Sequence, residues 1–150
     1  MRDQSIGDGL QYHYQDLGPR DGKVVLFLHG SGPGASGYSN FRRNAPALAE
    51  RGFRVVVPDT LGFGHSSKPD RDYGLDFLSA SLRRFTDALG LKSFSLIGNS
   101  HGGALSIRNT FALGTGNLTF GGGVLETSDT TLGGSFTRGF LVVAPGLTIK

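Results

Sequence analysis

The stretch Phe94-Ser95-Leu96-Ile97-Gly98-Asn99-Ser100-His101-Gly102-Gly103 constrains the chain more than any other. An apolar run leads into Gly98-x-Ser100-x-Gly102, and Gly103-Ala104-Leu105-Ser106-Ile107 follows as a helix start. A serine pinched between strand and helix is forced into a strained backbone, so its neighbours must lack bulk. Gly98 and Gly102 meet that demand, and Gly103 lets the helix lie close to the sheet. The hydroxyl would then stand at a helix N-terminus, where free N–H groups and the dipole favour developing negative charge.

The rest of the chain supplies a sheet for that turn. Val24-Val25-Leu26-Phe27-Leu28 and Arg54-Val55-Val56-Val57 read, like 94–97, as strands buried on both faces. Gly9 to Asp16 alternates apolar and polar residues, as a half-buried antiparallel strand does. A helix is expected over Tyr38–Arg51, stopped by Gly52. Leu75, Leu78, Leu82, Phe85 and Leu89 share one helical face, with Gly90 just past its end. Strands alternating with amphipathic helices imply an α/β fold with a mostly parallel sheet and helices on both faces. The glycine-bearing loops after Leu28, Val57 and Ile97 then fall at the carboxyl ends of the strands, where such sheets do their chemistry.

Composition narrows the function classes. The 150 residues contain no cysteine, which excludes a disulfide framework and a thiolate metal site. No apolar run approaches the ~20 residues of a membrane span, and Met1-Arg2-Asp3-Gln4 is too polar for a signal peptide, so no membrane partner and a cytoplasmic location are expected. A net charge of +3, with scattered basic residues, gives nucleic-acid binding no support. No metal-ligand spacing occurs, and no cofactor is expected. Pro33 removes an N–H from Gly30-Ser31-Gly32-Pro33-Gly34 that a phosphate would want, which disfavours a dinucleotide loop. Asp59 reads as a turn-forming residue, and His29 as a structural hydrogen-bonding group.

Texture changes near residues 112–116. Residues 114–150 hold nine glycines and seven threonines but only four charged residues. A core over 1–113 and a Gly/Thr-rich β-like segment over 114–150 are therefore expected, with Phe140–Val143 as the run suited to join the sheet.

Four stretches together resemble the α/β-hydrolase fold, and within it the hydrolases of meta-cleavage products, which cut a carbon–carbon bond in ring-fission products of aromatic catabolism. They are His29-Gly30-Ser31-Gly32-Pro33-Gly34-Ala35, Ser39-Asn40-Phe41-Arg42-Arg43-Asn44, Pro58-Asp59-Thr60-Leu61-Gly62-Phe63-Gly64-His65-Ser66, and Gly98 to Gly103. The resemblance spans residues 10–112. It implies Ser100 as the nucleophile, or at least the serine at the reacting carbonyl. It implies an oxyanion hole built from the His101 backbone N–H and one from Ser31-Gly32. Ser31, Asn40 and Asn99 become polar contacts to a dienoate substrate or the oxyanion. The implied partner is a small-molecule carbonyl compound, a dienoate or an ester; a homo-oligomer is left open.

The chain departs from the superfamily order of nucleophile, acid, histidine. His101 is the only histidine after Ser100, Glu126 and Asp129 are the only later carboxylates, and the helical lid is not recognisable. An incomplete serine site is therefore expected. The tail from Gly116 is similar to a strand repeat of bacterial autotransporter passengers. Three readings stay open: an impaired serine hydrolase, an inactive hydrolase-like fragment or fusion product, and a β-repeat surface protein.

Overall fold

The computed structural model describes residues 1–102 and, as backbone, the two strand segments 118–122 and 139–143. Strands β1 (Arg2–Gly7), β2 (Leu10–Leu17), β3 (Val24–Leu28), β4 (Arg54–Pro58), β5 (Ser95–Asn99), β6 (Leu118–Gly122) and β7 (Gly139–Val143) form one sheet. Their order is β1-β2-β4-β3-β5-β7-β6. Helices α1 (Gly37–Phe41), α2 (Asn44–Ala49) and α3 (Leu75–Ala88) complete the described elements. The parallel centre is β4-β3-β5, as the three apolar runs require, and the other ladders are antiparallel.

Alternation explains why those runs are apolar throughout. Leu26, Leu28, Val56 and Leu96 point to one face, where Leu78, Leu82 and Phe85 of α3 join Tyr12 and Tyr14 in a core. Val25, Phe27, Val55 and Val57 point to the other, against Phe41 of α1 and Ala45 of α2. Both faces are covered, so neither half of the period is free to be polar.

One sequence expectation is corrected and another is extended. The antiparallel strand expected at residues 9–16 is the second strand of a hairpin: β1 precedes it, and the turn between them carries Asp8 at φ 54°. Asp-Gly at positions 8–9 is a turn signal that marks such a hairpin. The helix expected over Tyr38–Arg51 is two helices. Pro46 lacks an N–H, and its ring clashes with the carbonyl of residue 42, so the chain breaks at Arg42–Arg43. Within 114–150, the described segments are β7, antiparallel beside β5, and β6, antiparallel beside β7. The boundary at 112–116 and the likeness to a passenger repeat lie outside the described residues.

Candidate functional site

Ser100 follows the last residue of β5 with φ 53°, and residues 101–102 are helical. A non-glycine residue in the left-handed region stores strain and persists only where its surroundings hold it. The surroundings here are tight. A Cβ on Gly102 would lie 2.2 Å from the Leu28 carbonyl oxygen and 2.7 Å from that of His29. Only hydrogen at that position allows the turn to press against the end of β3. Gly30 is confined more mildly, its virtual Cβ lying 3.2 Å from the Ser100 Cβ. Ser100 itself is exposed.

The structure brings the loop after β3 against this turn through two amides. Asn99 Nδ2 donates to Asn40 Oδ1 at 2.8 Å, and the Gly30 N–H donates to the same oxygen at 3.3 Å. Asn40 Nδ2 donates in turn to the Ser36 carbonyl at 3.3 Å. Asn40 and Asn99, expected from the resemblance to face a substrate, bond to one another and join positions fifty-nine residues apart. Ser31 is exposed at the loop's lip. The backbone N–H groups of Ser31, Gly32 and His101 have no hydrogen-bond partner among the described residues.

Asp59 is more than a turn residue. Its buried carboxylate accepts the Gly37 N–H on Oδ1 at 2.7 Å and the His65 N–H on Oδ2 at 2.9 Å. It so ties the loop after β4 to the helix that follows the Ser31-Gly32 loop. The signal was present in the sequence as Gly64, which stands so close to this carboxylate that no side chain fits.

The model of the alpha/beta hydrolase fold family matches residues 23–108, more than half of the chain. This chain belongs to the α/β-hydrolase fold family. A 2-hydroxy-6-oxononadienedioate/2-hydroxy-6-oxononatrienedioate hydrolase of Paraburkholderia xenovorans (strain LB400) is 44% identical over 109 residues, 71% of this chain and 37% of that protein. A hydrolase of the same description from Escherichia coli (strain K12) is 41% identical over 108 residues, again 71% and 37%. The meta-cleavage product hydrolase of Pseudomonas fluorescens IP01 superposes with a TM-score of 0.67 at 34% identity, covering 73% of this chain and 39% of that one. The chain thus spans little more than a third of the length of the curated relatives it matches.

Within this α/β-hydrolase core the histidines occupy distinct environments. His29, at the end of β3, is buried, and both ring nitrogens are engaged. Nε2 accepts the Thr60 N–H at 2.9 Å and lies 2.8 Å from the Thr60 hydroxyl, so the proton sits on Nδ1, 2.7 Å from the Gly30 carbonyl. This fits the structural role expected for it. Burial, foremost, holds its pKa below the ordinary histidine value, with His101 adding a smaller push the same way. His65 is exposed on the loop after β4, its ring 5.0 Å from that of His13. Among the described residues no group of three or more histidine, cysteine or acidic side chains is placed to hold a metal ion.

The depressed pKa of His29 gives a signed pH dependence. Folding keeps the ring neutral, whereas the unfolded chain protonates it below about pH 6.5. The contribution is intact above that pH and is lost as pH falls toward the folded-state value, by at most about 1.4 kcal/mol per pH unit. Urea unfolding of wild type and His29→Gln at pH 7.5, 6.5 and 5.5 checks this. The difference in stability between the two should shrink as pH falls; a constant difference contradicts it.

Proposed function

We propose that this chain carries the nucleophile half of a serine-dependent hydrolase that acts on the carbonyl of a meta-cleavage dienoate, cutting a carbon–carbon bond, or of an ester. Ser100 attacks, or holds its hydroxyl at, the reacting carbonyl. The N–H of His101 and one from Ser31-Gly32 receive the oxyanion. Asn40 and Asn99 set the separation of those two donors and stand beside the substrate. One observation carries the reading: Ser100 is held at φ 53° at the carboxyl end of β5, against a glycine loop fixed by the Asn40–Asn99 bond. Preorganised donors of this kind account for a large share of acyl-transfer catalysis because they need no reorganisation when charge develops. The names of the relatives support the dienoate, and the serine distinguishes this site from hydrolases of the same fold that place an aspartate at the turn.

The base is the open part. No histidine follows His101 in the sequence, and both nitrogens of His29 are already engaged. A serine hydroxyl without an adjacent base is a weak nucleophile. Oxyanion stabilisation and binding alone retain roughly 10³–10⁴ over water, and loss of a triad member costs several further orders of magnitude. Catalytic silence of these 150 residues by themselves is the second reading, and the engagement of both His29 nitrogens is what favours it.

Fluorophosphonate labelling with peptide mapping, run beside turnover of p-nitrophenyl acetate and of a 2-hydroxy-6-oxo-dienoate, tests the proposal. Slow labelling confined to Ser100, absent in Ser100→Ala, with turnover close to background, is expected. Labelling elsewhere overturns the assignment of Ser100. Fast serine-dependent turnover at neutral pH shows that a base is supplied and overturns the incomplete-site reading.

A further inference from the structure

A cleft of about 810 Å³ opens beside the loop that carries Ser31 and Gly32. Its walls come from Met1, β2, the loop after β3, Tyr38 of α1, the end of β4 and the loop after it, and none from the turn bearing Ser100. That volume lies within the range of small-molecule sites, ~300–1,000 Å³.

Its chemistry is asymmetric. Pro33, Tyr38 and Phe63 supply apolar wall, and Tyr38 is one of only two large hydrophobic side chains strongly exposed among the described residues. His65 and Lys68 supply donors, while the ring of His13 is engaged on both sides, Nε2 lying 3.2 Å from the Met1 sulfur. Lys68 Nζ donates to the Gly64 carbonyl at 2.6 Å and weakly to that of Ser66 at 3.4 Å, which holds its head over the loop. An ammonium has three N–H donors and two carbonyls do not neutralise it; no carboxylate pairs with Lys68 among the described residues. The His65 side chain makes no hydrogen bond there either, and its ring lies against His13. His13 is steered by Asp3, whose Oδ1 lies 2.7 Å from Nδ1. Asp59 is the single carboxylate on the cleft wall, and both of its oxygens are taken by backbone N–H groups.

We propose that this cleft binds a small carboxylate with a planar apolar body, such as an aromatic acid, at a site separate from Ser100. The carboxylate pairs with Lys68 and the His65 ring, and the body lies on Phe63, Pro33 and Tyr38. Charge-assisted bonds at a half-open site give the anion its preference, and the apolar wall keeps a bare inorganic anion from matching it. Occupancy also bears on the Ser31-Gly32 loop, because Gly32 lines the cleft.

Benzoate is the probe, followed by NMR of the histidine Cε1–H resonances in the 150-residue chain, with benzamide as its uncharged counterpart. Saturable shifts of His13 and His65 are expected with benzoate. Binding should be about tenfold weaker with benzamide, and about tenfold weaker for benzoate in Lys68→Met. Lys68 and His65 are exposed, so Lys68→Met and His65→Gln leave the fold intact. Ser100→Ala should bind benzoate as wild type does. Absence of saturable shifts, equal response to benzamide, or indifference to both cleft variants overturns the proposal. Loss of binding in Ser100→Ala places the ligand at the elbow and overturns it too, while failure of Ser100 to react with fluorophosphonate leaves it standing.

Discussion

Arg54→Met is expected to cost about 3 kcal/mol, out of proportion to a single surface ion pair, because Arg54 holds a buried carboxylate. Its Nε and Nη2 donate to the two oxygens of Asp16, each at 3.1 Å, and the Asp16 side chain is only 2% exposed. This fork joins β2 to β4 where the antiparallel ladder pairs Asp16 with Val56 and Leu17 with Val55. The pairing with Asp16, foremost, pushes the Arg54 pKa up. Arg20 also reaches Asp16, at 2.6 Å, but from an exposed position, so it shields the orphaned carboxylate incompletely. Removing Arg20 alone should cost about 1 kcal/mol or less, as exposed pairs do. The decisive comparison is Asp16→Leu with Arg54→Met. Deleting both charges leaves no buried ion without a partner, so the double variant should be more stable than Arg54→Met alone. Urea melts of the four proteins measure it. An Arg54→Met cost below about 1 kcal/mol, or simple additivity, refutes the buried-anchor account.

The legible parts of this fold share a physical cause. The central strands and α3 announce themselves because burial of both faces, or of one helical face, leaves no freedom at a periodic set of positions. The turn at Ser100 is legible because its strained backbone and the close approach of β3 leave no room for a side chain at Gly102. Features set by distant pairs are different. The bonds of Asn40 to Asn99 and of Asp16 to Arg54 join residues fifty-nine and thirty-eight positions apart, and neither side chain alone names its partner. Asp59 looked like a turn former because its ordinary local role and its long reach to Gly37 use the same residue type. Pro46 and the Asp8-Gly9 pair were local signals outweighed by the longer apolar patterns around them. Of the site, the serine and its glycines were legible, as was the loop that faces them. That two of the polar residues grip each other was not.

The second large effect concerns the approach of the elbow to the sheet, and Gly102→Ala probes it directly. The new methyl would be placed 2.2 Å from the Leu28 carbonyl oxygen, 2.6 Å from its carbon and 2.7 Å from the His29 oxygen. All three are backbone atoms of β3 and its exit, so no side-chain rotation relieves the overlap. Either the helix start withdraws by about 1 Å or β3 distorts, and overpacking of this kind costs about 1–3 kcal/mol or more. Withdrawal carries Ser100 and the His101 N–H away from Ser31 and Gly32, and misplacement of about 1 Å costs on the order of 10²-fold in a reaction that depends on both. Gly32→Ala is the matched control, since a Cβ there meets nothing within 4 Å. It should change stability by under about 1 kcal/mol. Melting temperatures of the two variants, with fluorophosphonate labelling rates at Ser100, separate the outcomes. Gly102→Ala should lower both, and Gly32→Ala should leave the melting temperature close to wild type. A Gly102→Ala protein as stable and as readily labelled as wild type would mean that the helix does not rest on the end of β3, and the proposed geometry of the oxyanion donors would fall with it.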